Sequence, residues 1–253
     1  MSVSVIIPMY NESALCCQSA DELLRAFSAA FSGEPLELIF SDDGSTDDCA
    51  EKIARLSQCD PRVRLVRAPH NMGKGAAVRR GMLAARGDDI LFTDCDLAYG
   101  TAQPISLLQY HRSSGAAVTV GSRAKHPNGY AGYSLPRRLF SRCFLLCCRV
   151  LSGLEQSDVQ TGLKCFRKET AHAVFGAATL CGFGFDTEIL LLAKALGAAV
   201  AEYPVFVERS DAALGRRSRV HFLRDACAML RDILRAKKAV RAVKKAEMHP
   251  PRA

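Results

Sequence analysis

The sequence predicts an α/β protein built on a mostly parallel sheet with helices on both faces. Three observations carry that expectation. Short β-branched runs alternate with longer segments of helical spacing, the pattern of consecutive βαβ units. Runs such as Val5-Ile6-Ile7 and Ile90-Leu91-Phe92 are continuously apolar, as strands covered on both faces are. Strongly polar clusters directly follow several of these runs, where an open parallel sheet carries its ligands.

Taken in order, Val3–Ile7 reads as the first strand, stopped by Pro8. Ser13–Phe31 carries helical spacing and returns the chain to a second strand, Leu36–Ser41. Thr46–Leu56 reads as a helix that Ser45 or Thr46 caps, with Asp47 and Asp48 complementing its dipole. Val63–Val66, Ile90–Thr93 and Ala116–Gly121 are the next strands, separated by helices at Gly75–Ala85 and Thr101–Arg112. After about residue 122 comes a Gly- and Pro-bearing loop, a helix near Arg137–Leu151 and mixed elements. A last helix runs from His221 to about Lys245. The expected organisation is one domain over 1–220 and a basic helical extension with a short tail over 221–253. No internal repeat or low-complexity segment interrupts it.

Composition narrows the class. The chain has 253 residues, 49% hydrophobic and 24% charged, which suits a globular core and argues against disorder. Its 11 cysteines are odd in number and form no C-x-x-C pair, against a disulfide scaffold or a zinc site. Cys143, Cys147, Cys148 and Cys227 sit in apolar runs, where free Cys behaves as a small hydrophobe, and a reducing cytoplasm is expected. The first residues lack a basic n-region, so no signal peptide is expected. No stretch approaches the roughly 18 apolar residues of a spanning helix. Charge is uneven. Arg209 to Lys245 holds twelve Lys and Arg against three Asp, while the remainder holds 22 against 23 acidic residues. That end expects an anionic partner, lipid or nucleic acid, unless it is simply a solvated helix face.

Four polar clusters fall at strand ends. Pro8-Met9-Tyr10-Asn11-Glu12 follows the first strand, and by itself is a turn into a helix. Asp42-Asp43-Gly44-Ser45-Thr46-Asp47-Asp48 follows the second with four carboxylates, more than a helix cap needs. Asp42 and Asp43 are left to accept from a base N–H or a ribose hydroxyl. Asp94-Cys95-Asp96 ends an otherwise apolar strand. Two carboxylates one residue apart repel and call for a cation, and hard divalent ions use one or two carboxylates with water and phosphate completing the shell. An exposed acidic turn is the plainer alternative. His70-Asn71-Met72-Gly73-Lys74-Gly75 precedes a helix like a phosphate cradle but lacks Walker spacing.

In this order and spacing, the chain resembles the family 2 (GT-A fold) glycosyltransferases. The resemblance rests on VIIPMYNE, SDDGSTDD, HNMGKGAAVRRG and FTDCDLAYG. GSRAKHP, RRLFSRCF, SDVQTGLKCF and FGFDTEILLLA are similar to the polyprenyl-phosphate branch, which includes dolichyl-phosphate mannose synthases and dolichyl-phosphate β-glucosyltransferases. It covers roughly Ser2 to Arg235. The resemblance implies a Rossmann-like nucleotide-binding sheet and a metal-dependent, inverting transfer of a hexose from UDP- or GDP-sugar to polyprenyl phosphate. It implies that Pro8, Tyr10, Glu12, Asp42 and Lys74 hold the nucleotide sugar, and that Asp94 and Asp96 bind Mg²⁺ or Mn²⁺. Arg123 would lie by the sugar phosphate, and Asp186 with Glu188 by the sugar, Asp186 acting as a base only toward a hydroxyl acceptor. Arg137 and Ser141 would grip the lipid phosphate, Asp158, Gln160 and Gly162 would flank the acceptor, and Arg209 and Arg219 would close on the diphosphate. The chain departs from the pattern at Cys95, at Leu163, and in lacking a Trp beside Phe185 or after Val205. The donor sugar therefore stays open, glucose favoured over mannose.

Two amphipathic segments offer a route to a membrane. Leu139, Phe140, Cys143, Phe144, Cys147 and Leu151 share one side of Arg137–Leu151. Phe222, Ala226, Leu230, Ile233 and Leu234 repeat the pattern in the last helix, with basic residues outside. Such faces lie at anionic surfaces or pack on their own domain. A peripheral site on the cytoplasmic face is expected, with a separate anchoring partner as a further option. A transferase acting on a cell-surface glycan hydroxyl is the alternative enzyme. A nucleic-acid-binding module is disfavoured, because the basic tail lacks interleaved aromatics and the acidic clusters would be unexplained.

Overall fold

The computed structural model describes residues 1–130, 145–146, 148–182, 184–209, 231–238 and 240–241. The first half alternates as expected: β1 (Val3–Met9), α1 (Cys16–Ala30), β2 (Leu36–Asp42), α2 (Cys49–Cys59), β3 (Val63–Arg67), α3 (Lys74–Ala84), β4 (Asp89–Phe92), α4 (Ala102–Ser114) and β5 (Val118–Ser122). A single 3₁₀ turn, Arg123–Lys125, leaves β5. The expected mixed elements are β6 (Lys164–Arg167), α5 (Lys168–Ala177), α6 (Phe185–Ala195) and β7 (Val200–Pro204). Two starts differ from expectation. Residues 13–15 form a turn in which Glu12 O accepts from Leu15 and Cys16 N–H, so α1 begins at Cys16. The cap of α2 is neither Ser45 nor Thr46: the helix begins at Cys49, and Asp47 Oδ1 accepts from Cys49 N–H at 3.1 Å.

The seven strands run in the order β3-β2-β1-β4-β6-β5-β7. Only β6 is antiparallel to its neighbours. Its reversal brings its first residue to the edge where the parallel strands end, and Lys164 pairs with Phe92. Successive side chains of a strand point to opposite faces, which divides the core into two layers. Ile6, Ile39, Ile90, Phe92, Val120 and Phe166 pack with α3, α5 and α6. Val5, Ile7, Leu38, Phe40, Leu91 and Cys165 pack with α1, α2 and α4. Each such aliphatic side chain stabilises the fold by about 1.5–3 kcal/mol when fully buried. Every residue of α6 from Phe185 to Ala193 is buried, so this helix is an interior element.

The amphipathic segments are described only in part. Residues 148–152 are helical, with Leu145 and Cys148 turned to the core and Leu146 and Val150 exposed by 61% and 73%. Of the apolar side expected for Arg137–Leu151, Leu151 is described and packs partly buried against the same core layer, while Leu139, Phe140, Cys143, Phe144 and Cys147 lie outside the described residues. Residues 231–238 are also helical, and Ile233 and Ala236 are buried in the same layer as α6, while Leu234 is exposed. Among the described residues no helix is long and apolar enough to cross a membrane.

One buried group at the opposite edge makes the fold acid-sensitive. His111 on α4 is fully buried, its Nδ1 2.8 Å from Thr119 Oγ1. Burial pushes its pKa down to about 4, with Arg167 and Arg112 adding to the fall and Asp89 opposing it. Between pH 6.5 and 4 the unfolded chain therefore binds a proton that the folded chain refuses. Stability present above pH 6.5 is lost across that window, by about 3 kcal/mol. In urea titrations, the loss on going from pH 7 to pH 4 should be smaller in His111→Gln by about that amount. Parallel losses in both proteins would show that His111 titrates normally.

Candidate active site

The ends of β1, β2 and β4 meet the starts of α3, β6 and α6 along one edge of the sheet. At the end of β1, Asn11 adopts φ 55°, a left-handed conformation rare outside Gly. Its backbone is held by Ser45 Oγ at 2.9 Å, and its Oδ1 accepts from Thr46 N–H at 2.8 Å. Pro8 is buried, whereas Tyr10 and Glu12 are partly exposed beside it.

The carboxylates after β2 are engaged by the protein itself. Asp42 is fully buried, accepts from Ser45 N–H and pairs with Arg67 Nε at 2.9 Å. Asp43 Oδ2 accepts from Met72 and Gly73 N–H at 3.0 and 2.6 Å. The Asp43 side chain, expected from the sequence to face a ligand, thus fastens the loop before α3. Gly44, at φ +73°, packs so tightly on His70 that a Cβ would overlap its backbone. A cavity of about 460 Å³ lined by Gly44, Ser45, Arg67, Ala68 and Pro69 opens here. A ligand at this corner meets Arg67 before it meets Asp42.

After β4 the chain turns sharply. Leu97 takes φ 48° and its N–H bonds Asp94 O at 3.0 Å. This turn sets the Asp94 and Asp96 side chains, both partly exposed, on either side of the buried Cys95. Asp96 Oδ1 accepts from Ala98 N–H at 3.1 Å. Asp94 Oδ1 lies 2.5 Å from Lys74 Nζ, at the first position of α3. A Cβ at Gly162 would overlap the other Asp94 oxygen, so only glycine leaves the carboxylate its place.

Deeper in, Lys164 and Asp186 form a buried ion pair. The Lys164 ammonium also donates to Thr161 O at 2.6 Å and lies 5.4 Å from the Phe92 ring centre. Burial pushes the Asp186 carboxyl up and the Lys164 ammonium down, each opposed by the other's charge. Lys74 is also desolvated, but Asp94, Asp186 and Asp96 more than offset that and hold it above the usual lysine range. Glu188, two residues along α6 from Asp186, is fully buried and accepts from Thr179 and Leu180 N–H. Its carboxylate thereby braces the loop at Thr179 and Leu180.

On the far side, Arg123 and the fully buried Asp158 form a bidentate pair at 2.7 and 3.0 Å. Burial alone would raise the Asp158 carboxyl, yet the guanidinium holds it below the usual range. Gln160 N–H bonds Asp158 Oδ1 at 3.2 Å. A groove of about 510 Å³ starts at Arg123 and includes His126, Tyr130, Leu145, Leu146 and Arg149. Beyond β7, the 205–209 segment docks on the Asp96 turn, with Glu208 and Arg209 N–H both on Ala98 O. The Arg209 guanidinium is 2.7 Å from Glu22 Oε2, and with Asp96 also near, its pKa is raised. Arg137, Ser141 and Arg219 lie outside the described residues.

Among the described residues, no group of three or more His, Cys, Asp or Glu is placed to hold a metal alone. The donor set nevertheless fits a hard divalent cation that arrives with its own phosphate oxygens. It offers two carboxylates on one turn, flanked by lysine and arginine for the anion. Lys164 was missed in the sequence because nothing in Gly162-Leu163-Lys164-Cys165-Phe166 marks its lysine as buried.

Comparison with known proteins agrees with this architecture. The glycosyl transferase family 2 model matches residues 4–184. A dolichyl-phosphate beta-glucosyltransferase, ALG5C of Trichomonas vaginalis, is 33% identical over 208 residues, covering 79% of this chain and 62% of that protein. Glycosyltransferase AglD of Haloferax volcanii is 30% identical, covering 93% of this chain and 37% of that protein. The chain thus spans less than two thirds of the length of either relative. Glucosyl-3-phosphoglycerate synthase of Mycobacterium tuberculosis, crystallised with Mn²⁺, UDP and glucosyl-3-phosphoglycerate, shares the fold. Its TM-score is 0.65 at 24% identity, covering 94% of this chain and 79% of that one.

Proposed function

The chain belongs to glycosyl transferase family 2, and on that premise we propose that it transfers a hexose from a nucleotide sugar to polyprenyl phosphate. Glucose from UDP-glucose is favoured, in keeping with the dolichyl-phosphate beta-glucosyltransferase relatives. The observation that carries the reading is one sheet edge that joins the Asp94 and Asp96 carboxylates to Lys74 and Arg209. That edge suits a diphosphate leaving group with a divalent cation. The groove from Arg123 to Leu146 and Arg149 suits an acceptor with a phosphate head and an apolar chain.

In this mechanism Tyr10, Glu12 and the Asp42–Arg67 corner hold the nucleoside. Asp94 and Asp96 hold Mg²⁺ or Mn²⁺, which when bound supplies Lewis-acid neutralisation of the departing diphosphate. Arg209, with Arg219, closes over that diphosphate. Asp186, fixed by Lys164, orients sugar hydroxyls. An acceptor phosphate has its second pKa near 6 and is largely dianionic at neutral pH. It needs a guanidinium to position it more than a base to deprotonate it. Arg123 serves that need together with Arg137 and Ser141, and Gln160 flanks the acceptor. Attack from the face opposite the diphosphate inverts the anomeric centre.

The protein works at a membrane surface, on the cytoplasmic side. The exposed Leu146, Val150 and Leu234 and the C-terminal excess of Lys and Arg support this. One experiment tests donor, acceptor and metal together. UDP- and GDP-sugars are offered with a short polyprenyl phosphate in anionic or neutral vesicles, with and without EDTA. UDP-glucose should turn over fastest, EDTA should abolish turnover, and anionic vesicles should outperform neutral ones at low salt only. Equal turnover in EDTA, or transfer to a glycan hydroxyl alone, would overturn the reading.

A further inference from the structure

Lys74 and Asp94 are joined at 2.5 Å although both belong to a site built for other ions. Both side chains are about one quarter exposed, at 26% and 28%, so the pair faces the cleft. The Lys74 ammonium also feels Asp96 and Asp186, which makes it the cation that balances this group of carboxylates. Asp94 has little freedom to accommodate a second cation by turning away, because Gly162 packs against its other oxygen. A divalent ion that takes Asp94 competes with the ammonium for the same carboxylate. The lysine stem is flexible and the ammonium is a mobile point charge.

We propose that Lys74 is an exchangeable counter-ion: a divalent cation displaces it from Asp94, and the freed ammonium moves to the donor diphosphate. The inference rests on the nucleotide-sugar reading above. Metal binding then does two things at once, since it loads the carboxylates and releases a cation for the leaving group. The metal-free site keeps its lysine occupied and binds diphosphate weakly.

Exchange and a fixed positive charge predict different couplings. A fixed charge at Lys74 would strengthen UDP binding by the same factor with and without metal. An exchanging lysine contributes only when metal is present. The test is calorimetry with Mn²⁺ alone, with UDP alone and with UDP at saturating Mn²⁺, on wild type and Lys74→Met. Expected for Lys74→Met is tighter binding of Mn²⁺ alone, with the gain in UDP affinity on adding Mn²⁺ reduced by about tenfold, a typical worth for one charge-assisted bond. An unchanged gain overturns the exchange while leaving the nucleotide reading intact. If Mn²⁺ fails to strengthen UDP binding in wild type, the nucleotide reading falls, and the exchange with it. Should Lys74→Met not fold, Asp94→Asn substitutes for it. That change frees the ammonium without metal, so metal-free UDP affinity should rise several-fold, and no rise overturns the proposal.

Discussion

Asp96→Ala is expected to lower hexose transfer by about 10³-fold or more, equivalent to about 4 kcal/mol of transition-state stabilisation, while the chain stays folded. The side chain is partly exposed, and its Oδ1 accepts from Ala98 N–H within the turn. Losing that hydrogen bond should cost about 1 kcal/mol of stability. The functional loss is larger because the site has only two carboxylates on this turn. Removing one takes away half of the carboxylate anchoring for the cation, while Arg209 keeps its pair with Glu22. Initial rates with UDP-glucose and a thermal melt separate the two effects. Activity within tenfold of wild type would sink the assignment of Asp96, and a collapsed melt would make the rate uninformative about chemistry. For that case Asp96→Asn keeps the turn hydrogen bond while removing the charge.

Much of this was legible in the sequence, for identifiable physical reasons. A strand buried on both faces must be apolar throughout, so Val5-Ile6-Ile7 and Ile90-Leu91-Phe92 announce themselves. Polar clusters after such strands can only lie at the sheet's edge, which places Asp94, Asp96 and Lys74 together before any coordinates are known. The later strands were harder. β6 is four residues long with a lysine at one end and an arginine at the other, and periodicity has no purchase on so short a run. Its antiparallel direction, which brings Lys164 to the site, is a property of the whole sheet. The carboxylates after β2 show the opposite limit. Asp42 and Asp43 look free in sequence, yet Arg67 and the amides of Met72 and Gly73 claim them through contacts 25 to 30 residues away. The family resemblance pairs Glu188 with Asp186, but two residues of α-helix turn the side chain about 200° away, and its carboxylate is held by Thr179 and Leu180 N–H.

Lys164→Met is expected to destabilise the fold by about 3–5 kcal/mol, the usual cost of removing one partner of a buried ion pair. It should also lower kcat by about 10²-fold, as a small displacement of a positioning group can. The ammonium is fully buried and bonded to Asp186 and to Thr161 O. Without it only Lys74 opposes the burial that pushes the Asp186 carboxyl up, and protonation of Asp186 is favoured. A neutral Asp186 loses the charge and the fixed orientation with which it would hold sugar hydroxyls. The double variant Lys164→Met/Asp186→Asn distinguishes this from a simple packing defect, because it leaves no uncompensated charge. Most of the lost stability should return in the double variant while kcat stays low. Denaturant titrations of the four proteins give the cycle, and initial rates give the second readout. If the double variant is as unstable as the sum of its singles, the pair contributes nothing through its charges. In that case Lys164 is a packing residue and Asp186 is positioned by something else.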